Sequence, residues 1–169
     1  LTIRQRKGDL QNLCVAIVGD ISHSRVARST ATALQTLGVG ELRFVSPASL
    51  APETDEFPGA KRCTSLEDGI RSADVIMALR IQKERFANTT IPAGDDYFRE
   101  FGLTAARLAK ARPDAIVMHP QPMNRGVEID GAVADGPRSV IRQQVANGVA
   151  VRMAALEILA APLAARRAR

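Results

Sequence analysis

Three short segments of this 169-residue chain gather residue types that can hold a small anion. The first is Gly19-Asp20-Ile21-Ser22-His23-Ser24-Arg25-Val26-Ala27-Arg28-Ser29. A helix starting here would turn unpaired N–H groups and the positive end of its dipole toward a ligand. Arg25 falls in that first turn, where the dipole favours acids, and such a local conflict points to a functional site. The plainer reading of Arg25 is a surface cation paired with Asp20. The second segment is Leu79-Arg80-Ile81-Gln82-Lys83-Glu84-Arg85. Arg80 and Gln82 alternate with Leu79 and Ile81, so in an extended chain both project to one side. A planar guanidinium beside an amide suits a carboxylate, while a solvated charged turn is the plainer alternative. The third segment is His119-Pro120-Gln121-Pro122-Met123-Asn124-Arg125-Gly126-Val127-Glu128-Ile129. Its two alternate prolines stiffen a bend with few backbone donors, which can aim carbonyls at a ligand amine. His119, just before a Pro in such a loop, reads as a structural hydrogen-bonding residue, and no Ser–His–acid order supports a hydrolase. On one rim, two arginines and a proline-stiffened loop would suit a small dianion carrying an amine.

The elements that must position these segments follow from apolar spacing. Cys14–Val18 is a short continuous apolar run of the kind buried on both faces of a parallel sheet, and Glu41–Val45, Asp74–Leu79 and Ala115–Met118 read as three further strands. Helical spacing predicts helices over 25–37, 66–72 (with Ser65 as cap), 95–111 and 138–161. Gly38 and Pro113 act as stops. The segment 51–64, rich in Pro, Gly and charge, reads as a loop. Strand and helix alternate, which implies an α/β fold: a doubly wound, Rossmann-like parallel sheet with helices on both faces. Ligands of such sheets bind beyond the carboxyl ends of the strands, where all three segments lie.

Composition narrows the class. Hydrophobic residues are 46% of the chain and charged residues 24%, enough for one domain with a real core. The net charge of +5 invites a nucleic-acid reading, but one Tyr, five Phe and no Trp leave little for stacking, and no nucleic-acid motif occurs. Part of the excess sits at the ends, in Arg4, Arg6, Lys7, Arg166, Arg167 and Arg169, which read as solvated tails. Only Gly19 stands where a dinucleotide turn needs GxGxxG, which disfavours a nicotinamide or flavin site. Cys14 and Cys63 make no metal spacing and read as reduced thiols. No apolar stretch reaches the ~20 residues of a membrane span, and no secretory signal is visible. A start at Leu1 rather than Met suggests that something upstream is absent.

The blocks Val-Gly-Asp-Ile-Ser-His-Ser-Arg-Val-Ala-Arg-Ser (18–29), Leu-Arg-Ile-Gln-Lys-Glu-Arg (79–85), Met-His-Pro-Gln-Pro-Met-Asn-Arg-Gly-Val-Glu-Ile (118–129) and Gln-Gln-Val-Ala-Asn-Gly-Val-Ala-Val-Arg-Met (143–153) span nearly the whole chain. In content and order they resemble the signatures of the aspartate carbamoyltransferase family, specifically its C-terminal, aspartate-binding half. The resemblance implies that Arg25 and Arg80 bind the two carboxylates of L-aspartate and that Gln82 assists near Arg80. Pro120, Gln121 and Pro122 match the loop whose backbone meets the carbamoyl group of carbamoyl phosphate and the incoming amine. Many family members carry Gly where this chain has Gln121. His119 matches a family position, although the family's carbonyl-polarising His belongs to the N-terminal half.

The resemblance also implies transfer of a carbamoyl group to give N-carbamoyl-L-aspartate and phosphate in pyrimidine biosynthesis, with no metal or organic cofactor. It implies a cytoplasmic homotrimer when full length, with possible association with a regulatory chain or a dihydroorotase. The family's phosphate-binding motif, Ser-x-Arg-Thr, does not occur here. The expected division is therefore an aspartate-binding domain over 1–137, a helix over 138–161 that packs on a missing N-terminal carbamoyl-phosphate domain, and a basic tail over 162–169. The chain alone is expected to be inactive. Ornithine carbamoyltransferase resembles the same fold, but it carries a Cys in the loop after the last strand, and none lies between His119 and Arg125 here. Two arginines would also repel its cationic substrate. A non-catalytic aspartate-binding module is the other alternative.

Overall fold

The structure is a computed structural model that describes residues 1–53, 56–81 and 94–167. Five parallel strands form one sheet: β1 (Cys14–Val18), β2 (Glu41–Val45), β3 (Lys61–Cys63), β4 (Val75–Ala78) and β5 (Ile116–Met118), in the order β3-β2-β1-β4-β5. The helices are α1 (Thr2–Lys7), α2 (Arg25–Thr36), α3 (Leu66–Ile70), α4 (Gly94–Phe101), α5 (Ala105–Leu108), α6 (Gly131–Ala134) and α7 (Ile141–Arg167).

Side-chain alternation along the strands explains the layering. Val15 and Ile17 of β1 join Phe44, Met77 and Met118 in a core cluster covered by Ile3 of α1 and Ala27, Ala31 and Leu34 of α2. Cys14, Ala16 and Val18 face the other way, into a cluster with Leu66, Ile70, Tyr97, Phe101, Leu108 and Val133 from α3 to α6. Both faces of the sheet are therefore covered, which is why β1, β4 and β5 read as continuous apolar runs.

Sequence periodicity misses or misplaces four elements. The expected loop over 51–64 contains β3, whose Lys61-Arg62-Cys63 lacks any apolar pattern. As an edge strand it pairs, among the described residues, only with β2, and exposed charges suit such an edge. The expected helix over 95–111 is two helices. Gly102 follows α4 at a point where a Cβ would collide with the Phe98 ring and carbonyl. Leu103 then bridges Ile129, and the Thr104 side chain caps α5 by accepting from Arg107 N. The N-terminal basic residues are not a solvated tail: α1 docks on α7 through Asn147 Nδ2 to Thr2 Oγ1 (2.8 Å) and Gln143 Nε2 to Gln5 Oε1 (2.9 Å), and Lys7 Nζ pairs with Asp114 Oδ2 at 2.8 Å. At the other end, α7 starts at Ile141 and runs on to Arg167, through most of the segment expected to be a tail.

Candidate functional site

Strand order reverses between β1 and β4, since the chain moves outward from β1 to β3 and then returns to the opposite side. Sheets of this kind open a crevice at that switch point. A cleft of about 160 Å³ lies there, lined by Asp20, His23, Ser24, Arg25 and Val26 after β1, Leu79 and Arg80 after β4, and Pro120, Gln121 and Pro122 after β5. Five of the six expected site residues thus meet in one cleft. The sixth, Gln82, lies outside the described residues.

Each wall has a local cause. Gly19 has φ 133°, and a Cβ there would lie 3.0 Å from Leu79 Cβ and 3.1 Å from its carbonyl oxygen. Glycine therefore lets the two strand ends close up and brings the Arg25 and Arg80 segments together. Ser24 caps α2, its hydroxyl accepting from Ala27 N at 3.1 Å, so Arg25 is the first helical residue and stands exposed at the helix N-terminus. Asp20, nearly fully buried, does not pair with Arg25. Its Oδ1 accepts from His23 N at 3.1 Å and lies 2.9 Å from His23 Nδ1, which folds the turn back on itself. Arg28 reinforces that turn by donating to Ser22 O at 2.7 Å and pairing with Glu56 at 2.5 Å. Arg80 is half-buried on the opposite wall.

The third wall bends sharply. Gln121 takes φ 62°, a left-handed conformation that glycine adopts without cost, and the Gln121–Pro122 peptide is cis. His119 is fully buried beneath the bend and supports it: its Nδ1 accepts from Gln121 N at 2.9 Å, and its Nε2 lies 3.2 Å from Glu128 Oε1. This agrees with the structural role read for His119. Sequence reasoning assigned no role to His23, Ser24 or Glu128, and read Asp20 only as a partner for Arg25. The available signal for Glu128 was an acid flanked directly by Val127 and Ile129. Tyr97 lies nearby, 1% exposed, its hydroxyl without a hydrogen-bond partner among the described residues. Burial, with the charges of Glu128 and Asp20 as smaller causes, pushes its pKa upward, so the phenol stays protonated.

A model of the aspartate/ornithine carbamoyltransferase Asp/Orn binding domain matches residues 11–159. The chain belongs to this family. The aspartate carbamoyltransferase catalytic subunit of Xanthobacter autotrophicus is 55% identical to it over 163 residues, which are 96% of this chain and 51% of that protein. The carbamoyltransferase chain described here therefore spans about half the length of the curated relative it matches, corresponding to the C-terminal half. Among solved structures, aspartate transcarbamoylase from Trypanosoma cruzi in complex with N-(phosphonacetyl)-L-aspartic acid shares the fold with a TM-score of 0.77 at 25% identity, over 92% of this chain and 51% of that one. Ornithine carbamoyltransferase from Pyrococcus furiosus superposes with a TM-score of 0.75 at 26% identity, over 86% and 49% of the two chains. The carbamoyltransferase fold alone thus does not choose between the two amino acids.

Proposed function

We propose that this chain supplies the L-aspartate side of an aspartate carbamoyltransferase, which transfers the carbamoyl group of carbamoyl phosphate to the aspartate amine. The observation that carries the reading is the meeting of Arg25, Arg80 and the Pro120–Pro122 bend in one cleft at the switch point. Two guanidinium groups on facing walls suit the two carboxylates of a dianion. In this reading the backbone of the bend meets the amine between them. In the reaction the neutral amine attacks the carbonyl carbon, a tetrahedral intermediate forms, and phosphate departs with a proton. The contribution of these residues is orientation and charge complementarity, which lower the barrier without a covalent enzyme intermediate. Gln82 assists beside Arg80 in this reading.

The resemblance supports the remaining assignments. The aspartate-binding unit is residues 1–137, and the long helix crosses onto an N-terminal domain that holds carbamoyl phosphate. The full-length protein is a cytoplasmic homotrimer of de novo pyrimidine biosynthesis, able to associate with a regulatory chain or a dihydroorotase. Among the described residues no helix is long and apolar enough to cross a membrane.

The competing substrate is ornithine, favoured by the closeness of the ornithine carbamoyltransferase fold. Against it stand the 55% identity to an aspartate enzyme and the absence of Cys between His119 and Arg125. Thermal melting separates these readings, because only a ligand that binds the folded state raises the midpoint. L-aspartate is expected to raise it, and L-ornithine and a dinucleotide to leave it unchanged. A rise with ornithine but not aspartate would overturn the proposal.

A further inference from the structure

Glu128 is a buried acid, 2% exposed, with no Lys or Arg paired to it among the described residues. An unpaired acid in such a place is costly unless N–H donors converge on it. They do so from two segments, the end of β4 and the bend. On Oε1 it accepts from Asn124 N at 2.5 Å and meets His119 Nε2 at 3.2 Å, and on Oε2 it accepts from Ile81 N at 3.4 Å. The tautomer of His119 follows from its other nitrogen. Gln121 N–H donates to Nδ1, so Nδ1 carries no proton, and the neutral ring bears its proton on Nε2, directed at Glu128. A fourth bond closes the ring between the loops: Asn124 Nδ2 donates to Ile81 O at 3.0 Å.

Glu128 itself lies outside the cleft lining, yet each of its partners sits one or two residues from it. Ile81 follows Arg80, while His119, Gln121 and Asn124 belong to the bend. Only a carboxylate offers acceptor oxygens to all three donors, since an amide would turn one oxygen into a donor facing another N–H. We propose that Glu128 is a positioning residue. It joins the Arg80 strand end to the Pro120–Pro122 bend and so fixes the distance between the cation and the carbonyls that an amino-dicarboxylate must span. This inference rests on the aspartate reading of the cleft.

Glu128→Gln tests it with almost no change of volume. In the full-length protein the variant is expected to raise the aspartate KM at least tenfold. On top of Arg80→Ala, by contrast, it should add less than twofold, because its effect runs through the placement of Arg80. Glu128→Asp, which keeps both acceptor oxygens, should recover part of the loss. An unchanged KM, or effects that simply multiply, would overturn the proposal, since a purely structural residue lowers melting without such coupling. Amide exchange gives a readout that needs no ligand. The Ile81 amide is expected to exchange at least tenfold faster in Glu128→Gln, while Ile17 in the central strand is unchanged. Equal rates at Ile81 would sink the idea. Should the wild type fail to use aspartate at all, the function proposed above falls, and the exchange rates still decide whether Glu128 holds the two segments.

Discussion

Arg25 and Arg80 reach the same cleft by different routes, and their surroundings set what each can contribute. Arg25 begins a helix, so its charge adds to the free N–H groups of the first turn. Arg80 is half-buried at a strand end, where lower dielectric strengthens any pairing with a carboxylate. Removing a charge from a desolvated pair costs more than the pair is worth, because its partner is left uncompensated. Arg80→Ala in the full-length protein is therefore expected to cost about 3 kcal/mol in kcat/KM for aspartate. The loss should appear as a raised aspartate KM and a lowered kcat, with little change in the KM for carbamoyl phosphate. Steady-state kinetics with each substrate varied in turn checks this, and an unchanged aspartate KM would remove Arg80 from the site. The residue types and the alternation around Arg80 were legible in the sequence. The support beneath the bend was not, because nothing local links Glu128 to Ile81, 47 residues away.

At the scale of elements, the sheet edge shows how charge replaces apolar pattern. Glu41 Oε1 takes Arg43 Nε at 2.7 Å on its own strand and Lys61 Nζ at 2.8 Å across to β3. The Arg43 and Lys61 hydrogen bonds hold the Glu41 carboxyl down at about 2, against an ordinary value of 4.5. The folded state therefore binds fewer protons than the unfolded chain between these values. This stabilisation is fully present above pH 4.5 and is lost as pH falls toward 2. Glu41→Gln should flatten the acid side of the melting profile in that window and leave its shape above pH 6 unchanged. Water screens this partly exposed cluster, so the difference should not exceed ~1 kcal/mol. Thermal melts of both proteins across the acid range measure it, and parallel profiles would mean that the cluster does not hold β3. Packing on the inner side is tight as well: at Gly69 of α3 a Cβ would collide with the Val45 methyls and come within 3.2 Å of Cys63 Cβ. A glycine inside a predicted helix thus marks close helix–sheet contact, a reason that appears only once β2 and β3 lie beneath it.

The molecule as a whole is well buried around its sheet and bare along one helix. Over α7 the side chains of Val145, Val149, Val151, Met153, Leu156, Ile158 and Leu159 are 48–71% exposed. Contiguous apolar surface of this kind marks an interface. The 169-residue chain alone is therefore expected to self-associate, with a sedimentation coefficient that rises with concentration. Leu156→Glu with Leu159→Glu should suppress that rise, because both side chains are already in solvent and a charge there leaves the core intact. A monodisperse wild-type monomer over the whole concentration range would contradict the expectation.

By itself the sequence determined the fold class, four of the five strands, and the three strand-end segments from which the cleft is built. These features rest on apolar runs and on Gly19, Pro120 and Pro122, whose effects act within a few residues. Tertiary structure alone decided the rest. It recruited β3 without an apolar signal, since an edge strand needs only one neighbour and a few cross-strand charges. It split the helix at Gly102, where Leu103 gains a bridge to Ile129 that helical hydrogen bonding would forbid. It turned the N-terminal segment into a docked helix, because the partners of Thr2, Arg6 and Lys7, namely Asn147, Gln143 and Asp114, lie more than 100 residues away. It also placed one buried carboxylate beneath two walls of the cleft. Local periodicity records which face a residue shows, whereas the partner on that face is set by chain segments that meet only when the sheet closes.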